Sequence, residues 1–328
     1  MSKVNQLKVT RRHALEMLTI GALSPAAMAA DPYPAKGIKI IVPYSPGSST
    51  DFLGRLLAER LSDQMKQSVT VENKPGAGGM VGTQQLALAA PDGYTIGICS
   101  LATFAMGPAT LKDPLYDATR DFSPLSSLIS TDLVMATGMN TPATLNEFAT
   151  WAASQSKPLF LGTLGAGTSG HFAGFMFGKA AKIQWEAIHY RNNADWMTAL
   201  MNGEIHAVFT GPSVVQAHVK AGKMRALASV SDVRSPAYPD IPTFVERGYK
   251  DMQFANWIGI AAPAKVPAEI LDKLHAEIIK AVNDPQVRNK LLDGGYKIIA
   301  NKRDEFAAGI RRDVAMWSDM VKATGFKV

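Results

Sequence analysis

Two hydrophobic rhythms alternate along this chain. Residues 38–42 form a nearly continuous apolar run, which predicts a buried strand. Leu53, Leu56, Leu57 and Leu61 then recur at helical spacing, so a helix is expected from near Asp51. Between them lies a turn-rich loop, Pro43-Tyr44-Ser45-Pro46-Gly47-Ser48-Ser49-Thr50. A strand at 69–72, a glycine-rich loop at 73–79, a helix at 80–89, a Pro91-Asp92-Gly93 turn and a strand at 95–99 follow. This alternation implies a parallel sheet with helices on its faces. Residues 100–124 read as irregular.

The pattern then begins again. Apolar stretches at 125–129 and 133–137 precede a helix opening at Thr144, whose spacing to Glu147 is that of a capping box. A strand at 160–163 runs into Leu164-Gly165-Ala166-Gly167-Thr168-Ser169-Gly170 and a helix over about 171–181. Strands at 185–189, 207–210 and 225–229 alternate with helices at 194–201 and 214–221. A proline-rich connection at 234–242 leads to a strand at 257–262. Helices at 267–282 and from 285 to Gly294-Gly295, a short strand at 297–299 and a last helix at 303–324 complete the chain. The expected fold is α/β, built of two alternating units. Each unit opens a glycine-containing loop onto a helix N-terminus. Such a terminus offers unpaired N–H groups and a positive dipole end, so it holds an anion without a charged side chain. Open parallel sheets bind ligands beyond the carboxyl ends of their strands, where both loops fall.

The first thirty residues change the compartment. Lys3, Lys8, Arg11 and Arg12 precede the short apolar run 17–22 and the small-residue site Ala27-Met28-Ala29. This reads as a signal peptide cut after Ala29 or Ala30, and the protein is expected in the periplasm. Thr10-Arg11-Arg12-His13-Ala14-Leu15 fits either a twin-arginine or a general secretory signal. That segment carries four bases and one acid, half of the formal net charge of +6. The remainder is too mild and too evenly spread for a nucleic-acid partner. The single cysteine, Cys99, leaves no internal disulfide framework.

Motifs that would indicate chemistry are weak. The glycines of Gly76-Ala77-Gly78-Gly79-Met80-Val81-Gly82 are off the dinucleotide fingerprint and read better as a tight turn. Gly167-Thr168-Ser169-Gly170-His171 lacks the second glycine of a nucleophile elbow. The six histidines and one cysteine make no metal pattern. No cofactor and no catalytic residue is nominated.

Several segments together resemble the Bug-type solute-binding proteins of tripartite tricarboxylate transporters. They include Ile40-Ile41-Val42-Pro43-Tyr44-Ser45-Pro46-Gly47 with Asp51, Glu72-Asn73-Lys74-Pro75-Gly76-Ala77-Gly78-Gly79, and Ala90-Pro91-Asp92-Gly93-Tyr94-Thr95. Further along are Gly165-Ala166-Gly167-Thr168 with His171, Pro239-Asp240-Ile241-Pro242-Thr243 and Trp257-Ile258-Gly259-Ile260-Ala261-Ala262-Pro263. The resemblance implies a monomeric two-lobed periplasmic binding protein of type II, with a mostly parallel sheet in each lobe and two crossovers, the lobes being residues 31–127 with 252–328 and residues 128–251. It implies a small organic carboxylate held between the lobes by N–H groups, hydroxyls and waters, and delivery to membrane permease subunits. Carried over by position, the first-lobe contacts are Tyr44, Pro46, Gly47, Ser48, Ser49, Thr50 and Asp51, with Thr103 after the third strand. The second-lobe contacts are Gly165, Gly167, Thr168, Ser169 and His171, then Tyr190, Asn193, Ala194 and Thr210. Asp51 reads as a helix N-cap or an indirect contact, and Tyr190 either stacks on a ligand or packs against its lobe. Three departures stand out: Ser48 where the family often has glycine, Asn192 after Tyr190-Arg191, and Thr210 where an aspartate often closes the strand. The last disfavours a ligand bearing an ammonium group. A sensor role or an exported enzyme on the same scaffold stays open from sequence.

Overall fold

The strand at Ile38–Val42 (β1) buries both of its faces, which is why its sequence is apolar without alternation. Ile38, Ile40 and Val42 point into one core cluster and Ile41 into another. The computed structural model describes residues 33–324, so the expected signal peptide lies outside the described residues. Ser49–Met65 (α1), Val69–Asn73 (β2), Met80–Ala87 (α2) and Thr95–Ser100 (β3) follow β1. The stretch expected to be irregular contains a π-helical turn at Ala102–Met106. Phe122–Thr131 (β4) and Leu133–Gly138 (β5) belong to different sheets.

Leu145–Ala153 (α3), Leu159–Thr163 (β6), Ser169–Ala181 (α4), Trp185–His189 (β7), Asn193–Asn202 (α5), Ala207–Thr210 (β8), Pro212–Lys220 (α6) and Met224–Val230 (β9) build the second unit. The chain then returns through Asn256–Pro263 (β10), Ala268–Asn283 (α7), Pro285–Asp293 (α8), Lys297–Ile298 (β11) and Arg303–Thr324 (α9). Thr144 and Glu147 do form a reciprocal capping box at the start of α3.

The first sheet has the order β11-β4-β10-β3-β1-β2 and the second β7-β6-β8-β5-β9. Each holds three neighbouring parallel strands, β2-β1-β3 and β7-β6-β8. Each then takes an antiparallel strand, β10 or β5. The sheets are therefore mixed, more so than the strand–helix alternation suggests. β10 and β5 arrive directly from the other lobe, so they lack the helical crossover that would return them parallel, and the short β11 also runs antiparallel to β4 at the edge of the first sheet. The chain leaves the first sheet after Thr131 and re-enters it at Asn256, each about four residues beyond the sequence-based division. Clusters on both faces of both sheets form the core.

Candidate functional site

A cavity of about 120 Å³ lies between the two sheets and is lined from both lobes. Ser48, Ser49 and Thr50 bring the start of α1 to it, and Thr168, Ser169 and Gly170 bring the start of α4. Asn193 opens α5, and Gly211 caps α6. Four helix N-termini thus converge on one small space, each with the positive end of its dipole inward. Leu133, Leu164, Trp196, Val208, Phe209 and Val214, all from the second lobe, supply an apolar wall. No charged side chain is among the described residues that line the cavity.

The first loop is built by reciprocal capping. Ser48 is the N-cap of α1, and its Oγ accepts from Asp51 N at 3.2 Å. Asp51, expected as cap, instead sits in the first turn. Its carboxylate accepts from Gly47 N at 2.9 Å, Arg55 Nε at 3.0 Å and Asn73 Nδ2 at 2.8 Å. The helix starts before its apolar stripe because Ser48 can satisfy the orphan amide. Burial pushes the Asp51 carboxyl up, but the bonds from Arg55, Gly47 and Asn73 outweigh it and hold the group below its ordinary value. Its oxygens are thus engaged in holding the loop. Ser48 Oγ and Thr50 Oγ1 share a bond of 2.9 Å, which leaves one O–H of the pair to donate onward.

The second loop is closed by Thr168, the N-cap of α4. Its Oγ1 accepts from His171 N at 3.4 Å and donates to Gly165 O at 2.8 Å. Gly165 and Gly167 are needed where the lobes touch. Both have positive φ, and a Cβ at Gly165 would lie 2.8 Å from Gly78 N. One at Gly167 would lie 3.0 Å from Gly107 Cα. His171 turns away from the cavity: Nδ1 accepts from Gly167 N at 3.3 Å, and the ring lies 5.3 Å from that of His189. Burial, then the neighbouring His189, lowers its pKa to about 4, so it is neutral at pH 7.

Polar bonds tie the lobes together around the cavity. Asn193 Nδ2 donates to Gly47 O at 3.1 Å, and its Oδ1 accepts from Trp196 Nε1 at 2.9 Å. Ser45 Oγ donates to Arg191 O at 2.6 Å, and Ser169 Oγ donates to Asn256 Oδ1 at 2.7 Å.

Of the residues nominated from sequence, the cavity collects Tyr44, Ser48, Ser49, Thr50, Thr168, Ser169, Asn193 and Thr210. Pro46, Gly165 and Tyr190 lie instead in an adjoining cleft of about 730 Å³ with Arg191. Gly47 and Asp51 face a hollow beside Phe52 and Tyr296, and His171 faces the outside of the second lobe. Thr103 is fully buried, with Oγ1 accepting from Ser100 N. Ala194 is exposed, one helical step of about 100° past Asn193. Sequence reasoning missed Asn256, Ser100, Thr131, Trp196 and Phe209. Asn256 begins an antiparallel strand, so its amino end meets the carboxyl ends of its neighbours: Asn256 pairs with Thr131 and Ile258 with Ser100. A rule that inspects only the carboxyl ends of strands passes over it.

Comparison with known proteins agrees with this architecture. The sequence profile of the family described as "Tripartite tricarboxylate transporter family receptor" matches residues 53–326. The protein BugT of Bordetella pertussis is 30% identical over 314 residues, 94% of this chain and 95% of that protein. The structure of the periplasmic binding protein BugD superposes with a TM-score of 0.85 at 29% identity, covering 90% of this chain and 99% of that one. MatC from Rhodopseudomonas palustris, solved with bound malate, superposes with a TM-score of 0.83 at 25% identity, covering 88% and 100%. With two lobes of matching plan enclosing a cavity at their helix ends, and with a family match across most of its length, this chain belongs to the tripartite tricarboxylate transporter receptors, as a Bug-type binding protein.

Proposed function

We propose that this chain is an extracytoplasmic solute-binding protein that closes its lobes over a small organic carboxylate. It then delivers the ligand to the permease subunits of a tripartite tricarboxylate transporter, and no chemical step is involved. The observation that carries this reading is the convergence of four helix N-termini on a cavity shared by both lobes. First-turn amides and hydroxyls there solvate an anion without an arginine. Contacts to both lobes at once are what let a ligand favour the closed state. The malate held by MatC supports the carboxylate class. The basic, apolar and small-residue order of residues 1–30 supports export.

A thermal-shift screen of the purified protein against carboxylates at pH 7 tests the reading. A ligand at 100 times its dissociation constant should add about 2.7 kcal/mol of stability. Shifts produced solely by nucleotides or phosphorylated sugars would exclude a carboxylate receptor.

A further inference from the structure

The cavity is two-faced, and its polar groups are not equally available. In the second lobe most are already engaged. Thr168 Oγ1 both donates and accepts within its own loop. Thr163 Oγ1 is held by His189 Nδ1 at 2.6 Å and by Gly165 N at 3.1 Å. Asn193 gives one Nδ2 N–H to Gly47 O and its Oδ1 to Trp196 Nε1, which leaves a single N–H. α6 begins with Pro212, which has no N–H to offer. That N–H and the Thr210 hydroxyl remain, and two neutral side-chain donors do not offset the desolvation of a carboxylate.

The first lobe is different. The Ser48–Thr50 pair retains one O–H donor, and first-turn amides are left over at Ser49 and Thr50. Asn256 accepts Ser169 Oγ on its Oδ1, which leaves its Nδ2 donors for the cavity. Ser169 and Gly170, the nearest second-lobe amides, lie at this same end, since Ser169 is bonded to Asn256. The opposite wall is Trp196, Val208, Phe209 and Val214.

We propose that the guest is a compact monocarboxylate with an uncharged, apolar body. Its carboxylate lies among the first-lobe hydroxyls and amides and Asn256 Nδ2, and its body lies on the second-lobe wall. This rests on the carboxylate reading above and narrows it. A second carboxylate would meet an apolar wall, and an ammonium would find no anionic partner among the lining residues. The volume of about 120 Å³ is below the range of drug-sized pockets, which calls for a small guest.

Calorimetric titration of the purified protein with matched acids tests this. The pairs are butyrate with succinate and hexanoate with adipate; isovalerate, benzoate, 4-aminobutyrate and butyramide complete the set. The best monocarboxylate is expected to bind about 100-fold more tightly than its dicarboxylate or amino counterpart, the scale of an uncompensated buried charge. Butyramide is expected to give no heat. A dicarboxylate or 4-aminobutyrate that binds as tightly overturns the monocarboxylate proposal and leaves the carboxylate reading standing. Silence from every acid, or equal binding of butyramide, overturns both. Asn256→Asp keeps the acceptor for Ser169 but faces the guest with a like charge, and should weaken the best acid about 100-fold at pH 7. Retained affinity would remove Asn256 from the carboxylate end.

Discussion

A methyl group at Gly211 should separate lobe stability from ligand binding. Gly211 has φ −63° and ψ 138°, a conformation open to any residue, so alanine meets no backbone strain. Its Cβ would lie 2.8 Å from Ser49 Oγ, across the gap between the lobes. Ser49 is half-buried, and its hydroxyl must shift before the two lobes can keep this approach. The clash therefore exists only when the lobes are closed. Overpacking of this kind costs about 1–3 kcal/mol, which is roughly a 5- to 150-fold loss of affinity. In the open protein two small effects oppose: glycine is the better N-cap by under about 1 kcal/mol, and alanine lowers the entropy of the unfolded chain by a similar free energy. Urea denaturation without ligand should thus stay within about 1 kcal/mol of the parent. Calorimetry with the best acid supplies the other half of the measurement. Unchanged affinity would mean that bound lobes do not approach to this distance, and the closure argument would fail.

Asn193→Ala removes the bond to Gly47 O and leaves buried Trp196 Nε1 unpaired. It should cost about 1–3 kcal/mol of stability and weaken the ligand as well; melts with ligand present and absent would show whether affinity escapes. Burial and then His189 hold His171 at a pKa of about 4 when folded, against about 6.5 when unfolded. The unfolded chain takes up this proton first, so the contribution of His171 is complete above about pH 6.5 and is lost as pH falls through that window. His171→Asn should flatten the fall in urea midpoint between about pH 7 and pH 4.5, and an unaltered slope would acquit this histidine. Thr144→Ala opens the capping box of α3, far from the cavity in the fold. It should cost about 1 kcal/mol with ligand affinity untouched, and a change in affinity would mean that α3 is coupled to the cleft.

Much of this molecule is legible from neighbouring residues alone. The apolar run of β1, the leucine stripe of α1, the Thr144–Glu147 box and both glycine-containing loops all depend on spacings of two to four residues. The family resemblance carried the two-lobed plan, and Ser48, Ser49, Thr50, Thr168 and Ser169, nominated as ligand contacts, line the cavity. What each of them does was not legible. Whether Thr168 has a free hydroxyl depends on Gly165 O and His171 N, and how many amide donors Asn193 keeps depends on Gly47, 146 residues away. Asn256 reaches the cavity because a strand inserted antiparallel turns its first residue toward the ends of its partners. Local periodicity determines which elements form and which face is buried. The availability of each polar group is decided when distant elements meet, because one hydrogen-bond partner from far along the chain is enough to spend it.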